Sequence, residues 1–204
     1  MIFPTNTELD QHITAGREAL GGFPSGGIVT LVQMRDSVGA TSLCRELTVA
    51  SNSTFWFSMP GADMIPDGVN YYTPWLGPVP VNRVCGAVAD GMAGTFGTND
   101  GLVIIDSVLG MVLDGLSAEL CVWLPRVAAA AAKRDALVVF VTQAHHDPDS
   151  GNDYFTGEKA FKENSEYIVI LDRTSDDEYT KYTASCIWSP TGCRFGNVEW
   201  RLPE

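Results

Sequence analysis

Two runs in this chain, Leu102–Ile105 and Ala136–Val141, are apolar at every position, and a third, Ile28–Val32, is interrupted only by Thr30. A strand with one face in water alternates apolar and polar residues, so strands like these must be covered on both faces. Segments with helical patterning lie between them: Ala40–Ala50, Val81–Met92 and Ser117–Arg134. Apolar strands alternating with helices predict an α/β fold with a largely parallel central sheet flanked by helices. Ligands of such sheets sit beyond the carboxyl ends of the strands. There the sequence places the turn after Val32, Asp106 and Gln143.

The remaining segments complete the layout. Met1–Pro4 reads as a short strand and Thr7–Leu20 as a helix or helical turn, with Leu9, Ile13 and Leu20 roughly on one face. Gly21–Gly27 is a turn cluster. Thr54–Ser58 is a further strand, and Met59–Pro80 is irregular apart from a short strand near Tyr71–Tyr72. Ala144–Gly157 reads as a polar, acidic loop, Glu158–Glu163 as a short helix and Tyr167–Asp172 as a strand. Tyr179–Trp188 and Asn197–Leu202 form a terminal antiparallel hairpin around Ser189-Pro190-Thr191-Gly192. No linker splits the chain, so residues 1–26 are read as an entry segment and residues 27–204 as one core domain.

The stretch Leu31–Leu43 has the strand–turn–helix layout of a phosphate-binding loop. That pattern wants Gly, four residues, Gly, Lys, then Ser or Thr. Here the first Gly position is Met34, the second is Gly39, the Lys position is Ala40 and the hydroxyl position is Thr41, followed by Ser42. Backbone amides at a helix N-terminus still attract anions, and Thr41 with Asp106 would be the pair to hold Mg²⁺. The alternative for Asp106 is a carboxylate satisfied by the hydroxyl of Thr41 or Ser42.

Charge and cysteines narrow the setting. The 25 Asp and Glu against 13 Lys and Arg give a net charge of −12, which disfavours DNA binding by the chain alone. Five cysteines without a Cys-x-x-Cys pair, and no basic-then-apolar leader, predict reduced thiols and a cytoplasmic location, or a host's cytoplasm for a viral protein. No apolar run is long enough to predict a membrane span.

In order and spacing the motifs resemble the core of the RecA/Rad51 recombinase ATPases over nearly the whole chain. Ile13–Gly27 is similar to that family's entry segment, ending in Gly-Gly-Phe-Pro-Ser-Gly-Gly. Leu102-Val-Ile-Ile-Asp-Ser-Val108 matches its Walker B strand, and Val139-Phe-Val-Thr-Gln143 its strand ending in a nucleotide-sensing Gln. Thr156–Lys162 resembles the segment closing its second DNA loop. The resemblance implies a RecA-like P-loop core with a C-terminal antiparallel hairpin. It makes Gly39, Ala40, Thr41, Ser42, Asp106 and Gln143 the vestigial nucleotide-binding positions.

The departures from that family agree with one another. The P-loop Lys is Ala40, and Met34 replaces a Gly. The position of the family's catalytic Glu falls at Met59-Pro60, with no carboxylate before Asp63. The hairpin segment Ala184–Ile187 has none of the lysines that reach a neighbour's nucleotide. The first DNA loop, after Val108, is short, and the second carries Asp147, Asp149 and Asp153 without Lys or Arg. The expectation is therefore no catalytic residue, no bound metal, and ATP with Mg²⁺ held weakly if at all. The chain would be a protein of recombination, repair or the damage response working through a protein partner or a homo-oligomer, with Met1–Pro4 as the strand given to a neighbour. Small RecA-like proteins of phages and mobile elements fit its size. The alternatives are an ATP- and single-stranded-DNA-binding recombinase with a non-standard loop, its phosphate-binding lysine replaced by Lys133, Lys159 or Lys162, and a structural or filament protein on the same fold.

Two other constellations stand out. His145-His146-Asp147-Pro148-Asp149 contains metal-ligand types, and Asp147, Asp149, Asp153 and Glu158 have calcium-loop offsets. Gly151 and Asn152 break that pattern, so a solvated loop is expected. Among Trp56, Phe57, Tyr71, Tyr72 and Trp75, Trp56 is expected in the core, and Tyr71–Trp75 at a partner surface.

Overall fold

The computed structural model describes residues 1–35, 38–58, 69–74, 78–94, 101–111, 116–146, 148–149, 151–175 and 180–201. In chain order the strands are β1 (Ile2–Phe3), β2 (Thr14–Ala15), β3 (Glu18–Ala19), β4 (Phe23–Pro24), β5 (Gly27–Gln33), β6 (Ser53–Ser58), β7 (Val69–Pro74), β8 (Gly101–Asp106), β9 (Leu137–His146), β10 (Asp153–Phe155), β11 (Tyr167–Ser175), β12 (Thr180–Trp188) and β13 (Phe195–Trp200). The helices are α1 (Ala40–Val49), α2 (Val81–Gly94), α3 (Leu116–Arg134) and α4 (Glu158–Asn164).

The main sheet has the order β13-β12-β11-β5-β9-β8-β6-β7, with β10 paired to β9. From β11 through β7 every neighbouring pair is parallel. β12 and β13 add an antiparallel edge. This is the α/β layout that the apolar runs predicted. Strands β9 and β8 lie between β5 and β6, so the chain leaves β5 through α1, skips two strand positions and returns later to fill both of them.

Side-chain alternation divides the core between the two faces of the sheet. From β5, β8 and β9, Val29, Leu31, Leu102, Ile104, Val139 and Val141 join Ala40, Leu43, Cys44 and Leu47 of α1. The intervening Ile28, Val32, Val103, Ile105, Val138 and Phe140 meet α2, α3 and α4 on the other face. Helix α1 forms because its apolar residues recur at Ala40, Leu43, Cys44 and Leu47, one stripe at helical spacing. Helix α3 buries Leu116, Leu120, Leu124, Val127 and Ala131 in the same way. Its Pro125 withholds one backbone donor, and the helix continues past it. Trp56 is 2% exposed, within the α1-side core.

Two local expectations are corrected, and a third, the strand in Met1–Pro4, is found. Thr7–Leu20 is helical for a single turn only. It is a 3-10 turn over Glu8–Gln11 followed by the β2–β3 hairpin, where Gly16 turns the chain at φ 63°. The four-residue spacing of Leu9 and Ile13 mimics a helix, yet both are buried because the turn folds back onto the core. Ala144–Gly157 is not all loop: β9 runs on to His146 and pairs antiparallel with β10. Met1–Pro4 contains a strand, in which Ile2 and Phe3 pair with Pro24 and Phe23. The expectations at Met59-Pro60, Asp63, Trp75 and Asp147 lie outside the described residues, as does the span 112–115 of the first DNA loop. At Tyr71 and Tyr72 only the backbone is described.

Among the described residues no helix is long and apolar enough to cross a membrane.

Candidate functional site: the carboxyl ends of β5, β8 and β9

The turn from β5 into α1 is built around Gly39. It takes φ 84° at the N-cap, a left-handed conformation that suits glycine. Its carbonyl accepts the Leu43 N–H at 2.8 Å, the first bond of the helix. On either side the chain is tied down. The Met34 N–H donates to the Leu171 carbonyl at 2.9 Å, carrying the β5–β11 pairing one residue further. Val38 is fully buried in the α1-side core. Ala40 is 1% exposed and belongs to the same core.

Thr41 and Asp106 meet directly. The Thr41 hydroxyl donates to Asp106 Oδ2 at 2.8 Å. Asp106 ends β8 and is 9% exposed. Burial pushes its carboxyl above the ordinary value, while the Thr41 hydrogen bond and the positive charge of Arg45 pull it back. Beneath the pair lies Cys44, whose thiol burial, and then the Asp106 charge, raise well above its usual range. That thiol is a core group and not a nucleophile, since reactivity requires the thiolate.

Gln143 stands in register with Gln33 across β9 and β5, so two amide side chains occur side by side where these strands end. Ser42, next in α1, is half-buried. The sequence-predicted positions Gly39, Ala40, Thr41, Ser42, Asp106 and Gln143 thus fall at one end of the sheet. Thr41 and Asp106 are the two shown in contact.

No family model matches this chain, and no curated protein sequence matches it. In three dimensions it is similar to a solved RadB recombinase, with a TM-score of 0.63 at 18% identity, covering 88% of this chain and 87% of that one. The fold is RecA-like.

Within this RecA-like fold the site holds two cations that motif matching passed over. Arg45 follows Thr41 by one helical turn, which brings its charge to the same side of α1 and within reach of Asp106. That i, i+4 spacing was readable in the sequence. Arg35, in the loop itself, pairs with Asp172 on β11 at 3.2 Å. No local pattern announces that pair, because β11 returns beside β5 only after the whole sheet has been laid down.

The second predicted cluster resolves differently. His146 and Asp153 face each other across the β9–β10 hairpin, Nδ1 to Oδ1 3.0 Å, and His145 lies against Tyr154. Among the described residues no group of three or more potential metal ligands converges.

Proposed function

We propose that this chain is a RecA-like protein of DNA recombination, repair or the damage response that has given up ATP hydrolysis and acts by assembling with other proteins. The recombination setting is supported by the structural likeness to a RadB recombinase. The loss of hydrolysis is supported above all by the lysine position, which is filled by a core alanine 1% exposed. Phosphoryl transfer is catalysed almost entirely by positioning and by positive charge on the phosphates. Ala40 supplies no charge, and the Met34 amide that would have to turn toward a phosphate is bonded to Leu171. The hydroxyl and carboxylate that would hold Mg²⁺ satisfy each other, and the carboxylate is one that burial biases toward its neutral form. The site therefore lacks the charge and the free backbone amide that ATP–Mg²⁺ would need.

One observation favours a second reading, anion or nucleotide binding without catalysis. Arg45 returns a positive charge to the neighbourhood of the α1 N-terminus, which itself attracts anions. Phosphate release from ATP, with and without single-stranded DNA and compared with an Asp106→Ala variant, tests the main reading. The expected rate is background in both proteins. Turnover lost in Asp106→Ala contradicts the proposal.

A further inference from the structure

The β2–β3 hairpin of the entry segment is tied to the turn between β12 and β13 through one sulfur atom. The Thr14 N–H donates to Cys193 Sγ at 3.5 Å, and the Cys193 thiol donates to the His12 carbonyl at 3.5 Å. Two further bonds support the junction. The Gly16 N–H donates to the Thr191 carbonyl at 3.3 Å, and the Tyr167 hydroxyl to the Thr14 carbonyl at 3.1 Å. A second thiol stands directly behind the first. Cys186 Sγ lies 3.4 Å from the Cys193 carbonyl, and the two thiols are hydrogen-bonded neighbours. Strand register explains the meeting. Cys186 on β12 lies opposite Phe195, and Cys193 comes one strand period before Phe195, so both point to the same face of the sheet. There both are buried in the α1-side core, Cys186 at 4% and Cys193 at 1% exposure. Cys193 is nevertheless close to water along the chain, since Thr191, Gly192 and Arg194 beside it are exposed.

We propose that Cys186 and Cys193 are a redox pair, whose closure to a disulfide loosens the β2–β3 hairpin from the β12–β13 turn. In the reduced, closed chain the pair is inert. Burial, and then the neighbouring Cys193 thiol, push Cys186 up to about 12, and the nucleophile is the thiolate. Swinging the exposed turn outward brings Cys193 to water first. Its thiolate attacks one sulfur of a low-molecular-weight disulfide, forms a mixed disulfide and releases one small thiol, which takes up the proton that Cys193 lost. The Cys186 thiolate then attacks the Cys193 sulfur and releases the second small thiol with the second proton. Two protein thiols are oxidised, and one small disulfide is reduced to two thiols. As half of a disulfide Cys193 has no proton to give the His12 carbonyl, and its sulfur turns from Thr14 toward Cys186. The hairpin then keeps its bonds to Thr191 and Tyr167 and loses both bonds to Cys193. Nothing in this device depends on whether the chain binds ATP.

Equilibration of the full chain in mixtures of oxidised and reduced glutathione, followed by acid quenching and peptide mass mapping, tests it. The chain carries Cys121→Ser, which removes the exposed thiol. The expected product is a Cys186–Cys193 disulfide, reversed by reduced glutathione. Trypsin reads the hairpin at Arg17, which is exposed between β2 and β3. Cleavage after Arg17 should be about tenfold faster in the oxidised chain, because proteolysis follows the population of the open form. Cys193→Ser keeps a hydroxyl for the His12 carbonyl and should be cut slowly in both buffers. Cys193→Ala removes both bonds without any disulfide and should be cut fast in both. Cys186 and Cys193 left unbonded in oxidised glutathione overturn the proposal. So does a disulfide that leaves Arg17 cleavage unchanged, or a Cys193→Ser chain that oxidation still opens.

Discussion

Helices α1 and α3 lie on opposite faces of one sheet, and each buries a full apolar stripe, but their outer sides differ. Helix α1 turns Thr41 and Arg45 toward Asp106 at the ends of the strands. Helix α3 presents apolar residues to solvent as well as to the core. The inner stripes build the fold and are equivalent. The outer sides carry whatever each helix does beyond folding. On α1 that side brings a hydroxyl, a guanidinium and a buried carboxylate together at the strand ends. On α3 it mixes Ala118, Cys121, Val122 and Pro125 with Glu119, Arg126 and Lys133.

The equivalence of the inner stripes gives the largest expected effects. Leu43→Ala in α1 and Leu124→Ala in α3 remove fully buried side chains, and each should cost about 2–5 kcal/mol in chemical denaturation. A cost in either helix below about 1 kcal/mol would mean that one stripe is not the core that its burial indicates. Ala40→Lys comes next. It forces a long cation into a 1%-exposed site packed among Leu43 and Val29 neighbours, at an expected cost of about 1–3 kcal/mol. It should not create ATP binding, because the Met34 amide stays bonded to Leu171. An ATP-dependent rise in the melting temperature of that variant would show that the missing charge was the sole defect.

Asp106→Asn probes the α1 side more finely. Burial raises the Asp106 carboxyl above 3.8, so the folded chain holds a proton that the unfolded chain has released. Stability therefore falls as pH rises from the ordinary carboxylate range through the raised value, and it stays lowered above that. Asparagine avoids the buried charge and keeps an oxygen for the Thr41 hydroxyl. The variant should melt about 2–4 °C higher than wild type at pH 7, and the gain should vanish in acid. A lower melting temperature at pH 7 would mean that the ionised carboxylate is stabilised by charge beyond Arg45. The smallest effect belongs to the outer side of α3, where Val122→Glu should change monomer stability by less than about 0.5 kcal/mol. A large loss there would place Val122 in the core and not on the exposed side of the helix.

How much of this was readable in the sequence depended on whether the cause was local. Helix α3 and the inner strands β5, β8 and β9 announce themselves by period, because burial repeats with the geometry of each element. Leu9 and Ile13 misled for the same reason, since a four-residue spacing marks a helix only if nothing interrupts it, and Gly16 does. The extension of β9 through His145 and His146 leaves no apolar trace. It is a backbone pairing with β10, whose partner is fixed by the turn between them. The meeting of Thr41 and Asp106 at one end of the sheet was legible from motif spacing, and Arg45 was legible from its distance to Thr41. The Arg35–Asp172 pair was not, because it exists only once β11 has docked beside β5.

The central claim is that the β5–α1 turn keeps the form of a phosphate loop without its chemistry. Isothermal titration of the chain with ATP in the presence of Mg²⁺, beside a Thr41→Ala variant, tests it most directly. The account predicts no binding heat for either protein at millimolar ATP. Saturable binding to the wild type that Thr41→Ala abolishes would contradict it, for it would show that Thr41 leaves Asp106 to hold the metal.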